Sequence, residues 1–238
     1  MMFPLNHGVM AAGSEGIPVT GGRIAHYSSL ILSGYVDGDD VSLWPDVSGS
    51  GFHLNGLAAY NTSHPSGIPL LLFSGNGFSN TQFPALGAQN RTVFVVGTSS
   101  QTSDNVVVAM GRGSGGANGE NYKVTSEMAL RVNGGNRFWP PPFTGTSGPI
   151  KLVTIRQSGS NTADTEAWLD GASLTETSTI GAELSTASGL GVGAQTGTLP
   201  FSGNLGEVII FNRALSTSER EQVDNYLIQR FQISGDTP

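Results

Sequence analysis

The sequence predicts an all-β fold: a two-sheet antiparallel jelly-roll sandwich with a short C-terminal helix and an extended N-terminal arm. Three observations lead there. Glycine supplies 34 of the 238 residues and charged residues only 12%. Glycine costs about 1 kcal/mol per helical position relative to alanine, yet it suits tight turns between short strands. Short apolar runs alternate with polar residues at period two, which puts one face of a strand on a core and the other in water. Only one segment, near the C-terminus, carries apolar residues at helical spacing.

Along the chain, residues 1–25 read as the arm, punctuated by Gly8, Gly13, Gly16, Gly21 and Gly22, an extended piece that needs a surface to pack against. Residues 26–238 read as the sandwich. Strands are expected at Arg91–Gly97, Asn105–Gly111 and Tyr122–Val132, then at Ile150–Gln157, Thr165–Leu169, Gly189–Ala194 and Gly203–Asn212. Asp170-Gly171 is a hairpin turn signal, because glycine accepts the positive φ that tight hairpins demand. Ser216-Thr-Ser-Glu219 is a capping box opening the helix, in which the serine oxygen and the glutamate carboxylate each satisfy a free backbone N–H. Val223, Tyr226, Leu227 and Phe231 follow on one helical stripe, with Gly235 beyond as a stop signal.

Composition narrows the partners. A net charge of −7 gives no basic footprint for neutralising phosphates, so neither nucleic acid nor an anionic membrane is expected. The chain has no cysteine, which excludes disulfides, thiolate metal sites and a cysteine nucleophile. The N-terminus lacks a basic region followed by a continuous apolar run, so no secretion signal is expected. No apolar stretch approaches the length of a membrane span.

The segment from Phe201 to Arg220 resembles the C-terminal signature of laminin-G-like, concanavalin A-like modules. There a strand of pattern G-x-[IL]-x-E-[IV]-x-[IVF]-[FY]-N-R-A-L-S runs into a short capped helix; Gly203, Leu205, Glu207, Val208 and Ile210 to Ser216 match it. Val41-Ser-Leu-Trp-Pro-Asp-Val-Ser-Gly-Ser-Gly51 resembles the family's early turn, and Trp168-Leu-Asp-Gly171 its hairpin. The resemblance spans roughly residues 28–231. It implies structural roles for Trp44, Asp46, Trp168, Asp170, Gly171, Glu207, Asn212, Arg213, Ser216 and Glu219. It also implies a role as a lectin-like domain, an enzyme appendage or a part of a viral particle. Glu207 is expected to pair with Arg213 or with a neighbouring strand.

Catalytic motifs are weak. Glycoside hydrolysis needs two carboxylates about 5–9 Å apart, and the Glu-x-Asp-x-(x)-Glu strand of resembling hydrolases is missing. Asp37, Asp39 and Asp40 cluster near Asp46 in a turn-like stretch; they are the candidates for Ca²⁺, although no EF-hand string is present and no cofactor is expected. Gly111-Arg-Gly-Ser-Gly-Gly116 fits a dinucleotide pattern but is not followed by the helix such a site requires. His7, His26, His53 and His64 lack metal-ligand spacing. The sequons at Asn61 and Asn90 read as accidental without an export signal.

The ligand candidate is the loop Asn136-Arg137-Phe138-Trp139-Pro-Pro-Pro-Phe143, where aromatic rings stack on sugars and prolines limit the entropy of ordering. The alternative reading places Phe138 and Trp139 at the end of the core or in a subunit contact. The expected function is a non-enzymatic virion component, such as a head fibre, decoration or tail protein of a bacteriophage. It would be held to other virion proteins by the arm, assembled in the host cytoplasm and able to bind surface glycans, with a homo-oligomer among the possibilities. The alternative is a carbohydrate-binding module of a secreted or cell-surface bacterial protein.

Overall fold

The computed structural model describes residues 16–87, 90–99, 106–111, 120–124, 128–132, 135–142, 146–182, 188–193 and 201–234. In chain order the strands are β1 (Arg23–Ser28), β2 (Asp40–Trp44), β3 (Leu54–Asn61), β4 (Leu70–Ser74), β5 (Phe78–Asn80), β6 (Arg91–Ser99), β7 (Val106–Met110) and β8 (Glu120–Val124). There follow β9 (Met128–Val132), β10 (Gly135–Trp139), β11 (Lys151–Gln157), β12 (Thr165–Leu169), β13 (Ala172–Ser173), β14 (Ser178–Ile180), β15 (Leu190–Val192) and β16 (Ser202–Phe211), then the helix α1 (Thr217–Arg230).

The strands make an antiparallel sandwich. Its front layer runs β13-β12-β11-β6-β16. The far edge of β16 is shared by β4, along Ser202–Leu205, and β1, along Glu207–Phe211. The back layer runs β5-β15-β7-β8-β9-β10-β14. Strand β3 joins the layers, pairing with β4 through Ala59–Asn61 and with β5 through Asn55 and Gly56. Gly56 permits the switch: a Cβ there would lie 2.2 Å from the Gly77 carbonyl oxygen.

Two apolar clusters follow from strand alternation. Val93 and Val95 of β6, Val153 and Ile155 of β11, and Val208 and Ile210 of β16 join Val108, Met110, Met128, Leu130 and Trp139 of the back layer. The intervening residues Phe94, Val96, Leu152, Ile209 and Phe211 pack on the outer side of the front layer with Val223, Leu227 and Phe231. The centre of the front layer is therefore buried on both faces: β6 is buried at every position and β16 at all but its first.

The helix forms where the capping box places it. Ser216 Oγ accepts from Glu219 N at 3.3 Å, and Glu219 Oε2 accepts from Ser216 N at 2.9 Å. It lies over a bulge in β16, where the register with β6 slips between Leu205 and Glu207. Gly206 occupies the bulge, and a Cβ there would meet Phe231 Cε1 at 2.5 Å. The bulge also inverts parity, so that Leu205, Val208 and Ile210 share the inner cluster while Ile209 and Phe211 join the outer one. Among the described residues no helix is long and apolar enough to cross a membrane.

Three expectations are corrected. The single strand Tyr122–Val132 is two strands, β8 and β9, paired antiparallel with Val124 opposite Met128. The boundary after residue 25 falls inside β1, because the alternation Ala25-in, Tyr27-in makes this stretch a sheet strand. The described part of the arm packs as well: Ile17 and Val19 belong to the outer cluster, since glycine-rich spacing still lets two apolar side chains reach a core. Residues 1–15 and Gly235 lie outside the described residues.

Two measurements test this packing. Gly206→Ala is expected to displace Phe231 and lower stability by about 1–3 kcal/mol; an unchanged urea midpoint would refute the close approach. Glu219 hydrogen-bonds Arg213 and caps the helix, which brings its carboxyl from an ordinary 4.5 to about 2. Its contribution is full above pH 4.5 and disappears as pH falls through about 2. Glu219→Gln should therefore lose less melting temperature than the parent across that window.

Candidate functional site

Three segments enclose a cleft of about 350 Å³: the turn His64–Ser66 between β3 and β4, the stretch Ser147–Ile150 ahead of β11, and Phe231, Gln232 and Ser234 after α1. This volume lies within the range of small-molecule sites.

The first wall is held by one imidazole. His64 Nδ1 accepts from the Ser66 backbone N–H at 3.2 Å and lies 2.8 Å from Ser66 Oγ. Ser66 Oγ accepts from Ile68 N at 3.2 Å, and Gly67 N donates to the His64 carbonyl at 2.8 Å. Because Nδ1 is an acceptor, Nε2 carries the proton. Burial holds the His64 pKa below its usual range, while the Thr146 and Gly148 carbonyls act in the opposite direction. Nε2 is buried and makes no hydrogen bond within normal geometry.

The second wall is pinned by buried Asn204 of β16. Its Nδ2 donates to the Thr146 carbonyl at 2.9 Å and to Thr98 Oγ1 at 3.1 Å, and its Oδ1 accepts from Asn61 Nδ2 at 2.8 Å. The floor is the end of the helix. Ile233 N donates to the Ile228 carbonyl at 2.9 Å and Gln232 N to that of Gln229 at 3.3 Å, a Schellman-type close in which the left-handed position usually belongs to glycine. Here it is Gln232, at φ 49°. The cleft is therefore lined by Pro65, Pro149, Ser66, Ser147, Ser234 and Gln232, with the buried residues His64, Ile150 and Phe231 behind them. Among the described residues that line it, none is an acid, a lysine or an arginine.

The candidates from sequence lie elsewhere. Gly135–Trp139 forms strand β10 instead of a loop, and Trp139 points into the inner cluster with 1% exposure. This corrects the expectation of a stacking surface at Trp139, since strand parity directs its ring inward. Phe138 is half-buried, and Phe143 lies outside the described residues. Arg137 forms an ion pair with Glu176 at 2.6 Å and also donates to the Ala163 carbonyl. Asp37 accepts from Thr62 N at 2.7 Å, Ser63 N at 3.1 Å and Ser63 Oγ at 2.6 Å. The Ser63 hydroxyl and the other donors hold its carboxyl below the usual range. Asp39 accepts from Val36 N at 2.9 Å, and Asp40 opens β2. Among the described residues no three potential metal ligands come together.

The motif residues build the frame. Trp44 packs among Tyr27, Phe73 and Phe78, with ring centroids 5.8–6.4 Å apart. Asp46 accepts from His26 N, Ser48 N, Ser48 Oγ and Phe52 N, all within 3.0 Å, and so shapes the turn to His53. Trp168 lies against the guanidinium groups of Arg156 and Arg220, at 5.1 and 4.4 Å. Asp170 and Gly171 make the tight turn with φ of 50° and 84°, and Asp170 accepts from Leu152 N and Lys151 Nζ at 2.8 Å. Asn212 N donates to the Gly22 carbonyl.

Glu207 does not pair with Arg213. It accepts from His26 Nε2 at 2.7 Å, Ser28 Oγ at 2.9 Å and Arg230 Nε at 3.2 Å, because the bulge turns it toward β1 and the helix. Arg213 instead pairs with Glu219. His26 and Arg230 were missed; the two-residue spacing of His26 and Ser28 on one strand face was the available signal. Ser28 donates to Glu207 and not to the imidazole, so the cluster forms no hydroxyl–imidazole relay. The buried carboxylates Asp46, Glu207 and Asp224 are each occupied by donors of the fold.

No protein-family model and no curated protein sequence matches the chain. Among solved structures the fold is similar to Trypanosoma rangeli sialidase in complex with sialic acid, with a TM-score of 0.53 and 15% identity over 90% of this chain and 34% of that one. It is similar to domain 4 of an extracellular GH43 arabinanase from Geobacillus stearothermophilus in complex with arabinotriose, with a TM-score of 0.55 and 14% identity over 85% and 97%. An arabinofuranosidase complexed with arabinofuranosyl-α-1,2-xylobiose gives 0.60 and 12% identity over 79% and 50%. The chain thus spans about a third of the sialidase and half of the arabinofuranosidase. At these identities the likeness is one of fold.

If Glu207 anchors the helix, Glu207→Ala should cost on the order of 3 kcal/mol, because Arg230 and His26 lose their buried partner. A denaturation midpoint within error of the parent would remove that role.

Proposed function

We propose that the chain is a non-catalytic saccharide-binding module whose site is the cleft at the end of α1. The observation that carries this reading is the lining: proline rings and hydroxyl and carboxamide groups, with no carboxylate pair to drive hydrolysis. Such a surface offers apolar faces to sugar C–H groups and hydrogen bonds to their hydroxyls. The fold supports the reading: the arabinanase domain it resembles is a unit of similar extent, and that domain is in complex with arabinotriose.

The virion setting remains a finer proposal that rests on the sequence. With residues 16–25 taken into the sandwich, the contact with other virion proteins would fall to residues 1–15. Display of many copies would turn a weak site into firm adhesion through multivalency. The alternative setting, a secreted or cell-surface protein, uses the same site.

A glycan array followed by calorimetry tests the module. Gln232→Gly should raise stability by up to about 1 kcal/mol, since glycine accepts the left-handed backbone, while weakening saccharide binding at least fivefold. Ser147→Trp, which fills the cleft, should abolish binding without changing the melting temperature. Binding that survives Ser147→Trp would move the site elsewhere, and hydrolysis of any bound glycan would overturn the non-catalytic reading.

A further inference from the structure

We infer that this cleft selects an uncharged saccharide over an acidic one, and that His64 is the positioning residue whose neutral imidazole holds its wall. The inference rests on the saccharide reading and adds the ligand class and the condition for binding. Three observations at one place support it.

First, among the described residues no lining side chain is an acid, a lysine or an arginine. A sialic or uronic acid carboxylate placed there would lose its water with no cation to receive it, and an unpaired buried charge is costly. A neutral sugar needs only the hydroxyl, amide and carbonyl groups present. Second, the floor is the C-terminal end of a 14-residue helix, where the macrodipole leaves a partial negative charge. That end favours hydroxyl donors and disfavours anions. Third, His64 does not supply the missing cation. Its Nδ1 lone pair is used by the Ser66 backbone N–H, a contact only the form without a proton on Nδ1 can make. The imidazole is buried, with 6% exposure, and no charged side chain is among the groups that act on it.

The same contact makes the wall conditional. Protonation of Nδ1 would set its N–H against that of Ser66, and the turn that places Pro65 and Ser66 at the cleft would lose its anchor. Burial keeps the pKa low, so the neutral form persists through neutral pH and is lost only in acid. Binding should therefore be full near pH 7 and fall as His64 takes a proton.

The test uses the full chain and two sets of probes, read by calorimetry and amide chemical shifts. Arabinotriose, xylobiose, maltotriose and lactose represent neutral sugars; sialic acid and glucuronic acid represent acidic ones. At least one neutral probe should shift the amides of residues 64–68, 146–150 and 231–234 and bind tenfold or more above either acid. Between pH 7 and pH 4 its affinity should fall at least tenfold. His64→Asn keeps an acceptor for the Ser66 N–H without a titrating ring, so its affinity should change less than twofold over that range. In the free protein, the Ser66 and Ile68 amides should titrate together in the parent and stay fixed in the variant. Equal binding of acidic and neutral probes leaves the saccharide reading intact and overturns this one, as does the same pH profile in His64→Asn. Failure of every probe to bind overturns both.

Discussion

The burial of β6 and β16 on both faces governs the molecule. Strands β6 and β16 have no solvent side, so every residue along them answers to one of two cores. The outer core exists only because α1 and the strip from Ile17 to Val19 cover it. Removing that cover would expose Phe94, Ile209 and Phe211 together. Val223, Leu227 and Phe231 each contribute about 1.5–3 kcal/mol by burial, against about 0–1 kcal/mol for an exposed ion pair such as Arg213–Glu219. The helix is therefore held by its apolar stripe, and its charges set where it begins.

Polar groups beneath the helix fix its register. Thr154 Oγ1 donates to Asp224 at 2.6 Å, Arg220 pairs with the same carboxylate, and Arg220 lies over Trp168. Burial raises the Asp224 pKa despite the pull of Thr154 and Arg220, which shows how much water this interface excludes. Glu207 does the same at the other end through Arg230. The bulge at Gly206 brings Glu207 to that face and makes room for Phe231, so one extra residue in β16 sets both contacts.

Much of this was legible in the sequence and some was not, for physical reasons. The capping box at Ser216 and Glu219 is a local arrangement, and local arrangements survive being read without a structure. The apolar runs of β6 and β16 are continuous because both faces are buried, and that continuity still signals a strand. Ile17 and Val19 were hidden by the glycines around them, whose composition resembles a tail. For Trp139 the core reading held and the stacking reading did not: a run of prolines after an aromatic residue reads as a surface loop, while strand parity decides which way the ring points. The cleft could not be read at all. Its walls come from residues near 65, 148 and 232, and an uncharged lining has no motif.

That absence of charge carries the functional argument. The chain has 18 acidic residues, yet among the described residues the buried ones, Asp46, Glu207 and Asp224, serve the frame, each carboxylate met by backbone or side-chain donors. What remains at the end of α1 is a place where local preference and observed sequence disagree: glycine fits the left-handed backbone at position 232, and glutamine stands there. Such conflicts cost about 1–2 kcal/mol, and they tend to persist where a side chain is needed for something other than the fold. At position 232 that side chain is a neutral hydrogen-bonding group, and the residue lines the cleft together with prolines and serines. Under the proposed function, that is the group a saccharide hydroxyl would meet.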